Sequence, residues 1–245
     1  MHREEWQKKG AGHRQRLRDK FIRQGMDSFS DNEVLELLLT FGTPQKDCKE
    51  PARALLKKFT SLAEVLEKPP DELQQVKGVG PKNAFAIHFI QGVARRYLQQ
   101  RLINKNYLHS SREVADYLLH AMRDLRREIL TVIFLDASHA IIATEVAAEG
   151  TLTRNTVYPR ELLKMALEHH AAAVIIAHNH PSGNPAPSAA DRHLTRSLFL
   201  ALSLVDIKLL DHFIVAGTAA PYSFADNGLM TDISEECANI WKTRR

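Results

Sequence analysis

The sequence predicts two domains: an all-helical N-terminal one, then an α/β one with a mixed β-sheet flanked by helices. Three observations carry this. The first ~100 residues read as helical, with apolar residues at helical spacing. At Ile129–Leu135 the period changes to a continuous apolar, β-branched run, as in a buried strand. Beyond it, strand-like runs alternate with amphipathic stretches, the pattern of helices layered on a sheet.

The elements follow in order. A basic helix covers residues 13–24. The next opens at Asp31, read as its N-cap, with Val34, Leu35, Leu37, Leu38 and Leu39 behind it, and Pro44 closes that region. A helix over 51–59 and a short one after Ser61 come next. Pro69-Pro70 punctuates the chain before a long helix over 81–102. Residues 104–110 form a polar connector, so the domains are 1–103 and 104–245. A helix over 111–122 precedes the first strand. Residues 141–146 are a second strand. Pro159 starts a helix that reaches His169. Residues 172–177 are a third strand, and Ser188 caps a helix running to Leu204. Residues 207–210 and 213–215 make a fourth strand, bent at Asp211-His212.

Composition narrows the function classes. Of 245 residues, 44% are hydrophobic and 25% charged, which suits a folded globular chain. Cys48 and Cys237 are far apart and form no Cys-x-x-Cys pair, which argues against a disulfide framework or a cysteine zinc site. The N-terminus has no apolar signal segment, and no stretch approaches the ~18 apolar residues of a membrane span. A cytoplasmic protein with no membrane partner is expected, its oligomeric state open. Charge is uneven: residues 1–103 hold 19 Lys/Arg against 13 Asp/Glu, and residues 104–245 hold 14 against 16. The first part can meet a polyanion such as DNA, or simply carry a solvated basic surface.

The decisive stretch runs from His178 to Asp191. His178 and His180 close the third strand, and side chains two apart in an extended chain point to one side. Two imidazoles can then meet one ion at ~2.0–2.1 Å. Pro181, Gly183, Pro185 and Pro187 turn the chain back, and Ser188-x-x-Asp191 opens the next helix with a third ligand. Two histidines and one aspartate leave zinc a fourth position for water, as catalytic sites do. Ser188 with Asp191 also reads as a helix cap. His212 is placed to support the site from behind a ligand. His169, His170 and His193 read as structural.

His178-x-His180, seven residues, Ser188, two residues, Asp191 is similar to the complete JAMM (MPN/JAB) metalloprotease motif. With Asn179, Pro181, Ser182 and Gly183 around it and Asp211-His212 downstream, the chain resembles the RadC family. Gly12-His13-Arg14-x-Arg16-Leu17 and Asn32-Glu33-x-x-Glu36-Leu37-Leu38 resemble it too, so the likeness spans essentially the whole chain. It implies a glutamate general base before the first core strand, which is Glu128, with Glu149 its rival. It also implies that Ser188 helps hold the oxyanion of a tetrahedral intermediate.

In the N-terminal part, Leu73-x-x-Val76-Lys77-Gly78-Val79-Gly80-Pro81-Lys82-x-Ala84 looks like a helix-hairpin-helix. Its glycines permit a tight turn and Val79 can plug between the helices. Free N–H groups at the next helix start, with Lys77, Gly78, Gly80 and Lys82, can hold a DNA phosphate. Arg14, Arg16, Arg18 and Lys20 lie on a basic helix nearby. The leading expectation is a zinc hydrolase of the metalloprotease type, with a protein or peptide substrate. The alternative is a DNA-processing or repair protein, as the RadC resemblance also implies. A non-catalytic scaffold ranks below both, because all the metal ligands are present. A zinc deaminase would need a Cys-x-x-Cys pair.

Overall fold

The computed structural model describes residues 2–44, 46–150 and 158–242. The chain divides into two compact units, Met1–Ala94 and Arg95–Arg245. The division falls within one long helix, whose Leu98 and Leu102 pack in the second unit's core.

The first unit is helical: α1 (His2–Gln24), α2 (Asp31–Gly42), α3 (Lys49–Phe59), α4 (Leu62–Glu67), α5 (Pro70–Gln74) and the start of α6 (Pro81–Leu102). Ser30 caps α2, not Asp31. Ser30 Oγ accepts from the Glu33 N–H while the Glu33 carboxylate accepts from the Ser30 N–H, satisfying two end groups at once. Asp31 is already helical, and its carboxylate accepts instead from the Leu62 N–H at 3.4 Å, where α4 begins. Leu35, Leu39, Leu55, Val65 and Leu73 interlock as the core of this unit. His13 lies 2.8 Å from Glu36, and Lys20 lies 2.8 Å from Glu33, so the two RadC-like segments meet across α1 and α2.

The expected helix-hairpin-helix is formed by α5, a turn over residues 75–80, and α6. Val76 and Val79 are buried beneath the turn. The two glycines differ. Gly78 has φ +91°, and a Cβ there would stand 2.7 Å from Pro51 Cγ. Gly80 has no such φ, and its Cβ would meet nothing within 4 Å. Close approach also needs Gly42, where a Cβ would fall 2.7 Å from the Asn83 nitrogen and keep α2 off α6.

The second unit holds α7 (Tyr107–Met122), β1 (Ile129–Leu135), β2 (Ile141–Glu149), α8 (Pro159–Glu168), β3 (Ala173–Asn179), α9 (Ala189–Ser203), β4 (Lys208–Val215), β5 (Tyr222–Ser223) and α10 (Leu229–Lys242). The connector is shorter than expected. Asn106 already bridges to Ala140, and the helix starts at Tyr107 rather than 111. The sheet order is β2-β1-β3-β4-β5. Among the described residues only β3 and β4 run parallel, and β1 is antiparallel to both its neighbours, so the sheet is mixed as predicted. One face, with Val132, Val174 and Ile176, packs under α8, α9 and α10. The other, with Ile133, Ile175 and Phe213, packs on α7 and the end of α6.

β5 and α10 extend the fold beyond the predicted elements. β5 is two residues paired only to Phe213 and Ile214, too short for a periodic signal. α10 buries Met230, Ile233 and Cys237, a helical stripe that was legible in the sequence. Cys48 and Cys237 are both buried and free.

Replacing Gly78 by alanine should therefore lower unfolding stability by about 1–3 kcal/mol, through the left-handed backbone and the Pro51 clash. Gly80→Ala should leave it within about 0.5 kcal/mol. Urea unfolding of the two variants side by side checks this, and equal losses would refute it.

Candidate metal centre

The β3–α9–β4 crossover assembles the site. His178 lies in the last turn-ward residues of β3, and His180 follows it, its N–H donating to the Val215 carbonyl at 2.8 Å. The proline-rich loop then returns the chain to Ser188, N-cap of α9. Ser188 Oγ accepts from the Asp191 N–H at 3.1 Å, and Asp191 Oδ2 accepts from the Ser188 N–H at 2.7 Å. The cap thus aims the carboxylate at the strand end. His178 Nε2 and His180 Nε2 are 2.8 Å apart. Asp191 Oδ1 lies 3.1 Å from the first and Oδ2 3.4 Å from the second. The edge of a tetrahedron of such ligands around zinc is about 3.3 Å. His178 and Asp191 are buried, while His180 keeps 13% of its side chain exposed and opens the cluster to solvent.

Ring protons can be placed from the partners. Thr195 Oγ1 donates its one hydrogen to the Asp191 carbonyl at 2.6 Å, a bond back along its own helix. It must then accept from His212 Nδ1, 2.7 Å away. Desolvation, and then the neighbouring His178, hold the fully buried His212 ring well below its ordinary pKa, so it is neutral. With its proton on Nδ1, its Nε2 accepts from His178 Nδ1 at 2.7 Å. His178 Nε2 is left as a bare lone pair. His180 Nδ1 faces the Asn184 carbonyl at 2.7 Å and must donate to it, which bares its Nε2 too. Three acceptors therefore converge with no hydrogen between them. That donor set fits a cation, and the residues present suit zinc.

A β-bulge aims His212. Val174 pairs with Leu209 but Ile175 with Asp211, so Leu210 is the extra residue. Leu209 packs on the α9 face and Phe213, four positions on, packs on the opposite face, which an unbroken strand forbids. The shift turns His212 toward His178. It also sends Asp211 to the other side, where the buried carboxylate accepts from Tyr107 Oη at 3.0 Å, Ser223 Oγ at 2.7 Å and the Ala225 N–H at 2.9 Å. Burial raises the Asp211 pKa against these donors.

Glu128 sits immediately before β1. Leu130 pairs with His178, and the same antiparallel register carried two residues further sets position 128 opposite 180 on one face. Its rival Glu149 ends β2, one strand farther from β3, with its carboxylate 3.8 Å from Arg127. Asn179, between the two ligand histidines, points the opposite way. Its Nδ2 donates to the Leu125 and Arg127 carbonyls at 3.1 and 3.0 Å, and its Oδ1 accepts from the Ile129 N–H at 2.8 Å. It clamps the segment that carries Glu128.

Thr195 and Asn179 carry site roles that were not assigned from sequence. Thr195 stands one helical turn after Asp191, so an i+4 reading could have found it. Nothing local marks Asn179. His193 is exposed and His169 pairs with Glu145 at 2.8 Å, both outside the cluster. Lys77, Gly78, Gly80 and Lys82 lie in the first unit on the hairpin, with both lysines exposed.

Residues 108–229 match the model of the RadC-like JAB domain, and residues 9–85 match that of the UPF0758 N-terminal domain. A UPF0758 protein of Burkholderia thailandensis is 43% identical over 211 residues, covering 86% of this chain and 80% of the relative. One of Nitrosospira multiformis is 43% identical over 88% of this chain and 96% of its own length. One of Stenotrophomonas maltophilia is 41% identical over 89% and 93%.

Thr195→Val keeps the shape but removes the acceptor that orients His212. Zinc affinity, measured by chelator competition, should fall about 10–100-fold. The His178 ring proton, read by nitrogen-resolved NMR, should no longer be confined to Nδ1. Unchanged affinity would refute the relay.

Proposed function

The chain belongs to the UPF0758 family, whose members carry a RadC-like JAB domain, and from that premise we propose that it is a zinc-dependent hydrolase of peptide or isopeptide bonds. The observation that carries this reading is the convergence of two bare imidazole nitrogens and one carboxylate at a solvent-reaching strand end. When bound, zinc would supply a Lewis acid that polarises a carbonyl and acidifies water toward a pKa of about 7.

The residues then divide the work. His178, His180 and Asp191 hold the ion. Glu128 takes the proton of the attacking water and returns it to the leaving amine. The Ser188 oxygen is engaged by the Asp191 N–H, which leaves its own hydrogen to donate to the developing oxyanion. Capping and oxyanion binding are thus compatible in one hydroxyl. His212 and Thr195 keep the ligand tautomer, and Asn179 keeps the base in place.

Phosphodiester hydrolysis is favoured less, because enzymes of that kind frequently hold two metals about 4 Å apart. Among the described residues one three-ligand cluster is found. For the helical unit we propose a separate role as a contact for DNA backbone. The hairpin leaves Gly80 uncovered beside Lys77 and Lys82, so a phosphate can approach the start of α6.

Purified protein should carry about one zinc per chain. Glu128→Gln should keep that metal and lower hydrolysis of a peptide and isopeptide panel by about 10²–10⁴-fold. Lack of stoichiometric metal, or an unimpaired Glu128→Gln, would refute the hydrolase assignment.

For the hairpin, duplex binding should weaken with salt. Lys77→Ala with Lys82→Ala should reduce the slope of log affinity against log salt by about 0.9 per lost contact. An unchanged slope would exclude the hairpin as the contact.

A further inference from the structure

The outward face of α6 in the first unit has a composition that neither role uses. Ala84 and Ile87 face the core, whereas Phe85 and Phe89 are 67% and 59% exposed and Val93 is 52% exposed. Phe41, from the end of α2, is 68% exposed beside them. Phe41, Lys82, Phe85, Phe89 and Ile90 line a groove of about 660 Å³. The Phe85 and Phe89 rings stack at 5.8 Å with an interplanar angle of 16°, so their planes run nearly parallel. A monomer seldom shows large apolar rings to water without a partner for them.

Charge selects the partner. From Leu73 to Ala94, within the first unit, the chain has no aspartate or glutamate, while it carries Lys77 and Lys82. A second copy laid on this face would bring Lys77 and Lys82 of each chain together with no carboxylate in the segment to offset them. An anionic partner with flat apolar surfaces answers both features. Nucleic acid has both, and only unpaired bases leave their faces free to stack on protein rings.

We propose that this face binds single-stranded nucleic acid, with bases stacked on Phe41, Phe85 and Phe89 and the phosphate chain running past Lys82 to the hairpin. The inference rests on the nucleic-acid role given to the helical unit and is independent of the hydrolase assignment. The hairpin holds backbone at the start of α6, and the aromatic face reads the unstacked strand beyond it. Stacking tolerates any sequence because every base has a π-face.

The test is fluorescence polarisation of the full chain with a labelled oligothymidylate of about 15 nucleotides, against a duplex of equal length. Single-strand binding should be the tighter. Phe85→Ala and Phe89→Ala should each weaken it by about fivefold or more, with circular dichroism and unfolding midpoint unchanged because both rings are exposed. Lys82→Ala should lower the salt slope by about 0.7. Phe85→Leu with Phe89→Leu keeps apolar area and loses the π-faces, so it should weaken binding as well. Full binding by the leucine variant would overturn the proposal and mark an apolar protein-docking face. So would self-association, or binding to anionic vesicles in place of the oligonucleotide, that the alanine variants abolish. Duplex binding that is tighter and indifferent to the phenylalanines would overturn it while leaving the hairpin contact standing. No binding to either strand form would overturn both.

Discussion

A single hydroxyl hydrogen governs the candidate metal site. Thr195 commits it to the Asp191 carbonyl, and every later proton in the chain Thr195–His212–His178 follows from that choice. The relay is buried, so a misplaced proton that leaves a polar atom unpaired would cost about 1–3 kcal/mol. The outcome is a ligand histidine whose metal-facing nitrogen is bare before any ion arrives. Asn184 does the same for His180 through a loop carbonyl. Both imidazoles are therefore set for a cation without reorganisation.

The bulge at Leu210 makes this relay compatible with a packed sheet. A regular strand would put His212 on the α7 face and Asp211 on the metal face. Shifted by one residue, each polar group meets a set of partners: His212 meets His178, and Asp211 a shell of donors from α7, β5 and the loop after β5. The two faces of one strand thus serve different purposes, orienting His178 on one and cross-linking the unit on the other. Asn179 repeats the logic in β3, where alternation sends the ligands one way and the clamp on the β1 approach the other.

The two units obey different electrostatics. The sheet unit buries His178, His212, Thr195 and Asp211 and gives each hydrogen-bond partners. The helical unit instead leaves cations and aromatic rings on the surface and uses Gly78 at positive φ to shape a turn. Joining them in one chain brings a cationic, aromatic surface and a candidate metal centre into one molecule.

Much was legible without coordinates. His178, His180 and Asp191 could be read as ligands because strand alternation and a capped helix start are local rules, and Ser188 announces its cap by spacing alone. The hairpin over residues 73–84 was equally local. The cap of α2 was misread by one residue because Ser30 and Asp31 are both good N-caps, and the contact with Leu62 that occupies Asp31 is 31 residues away. What tertiary structure alone decided is non-local: the strand order that puts Glu128 nearer than Glu149, the bulge that turns His212, the Thr195 hydrogen that sets its tautomer, and the Asn179 clamp. Periodicity and capping are properties of neighbouring residues. Register between strands is set by the packing of both sheet faces at once, and no single segment carries it.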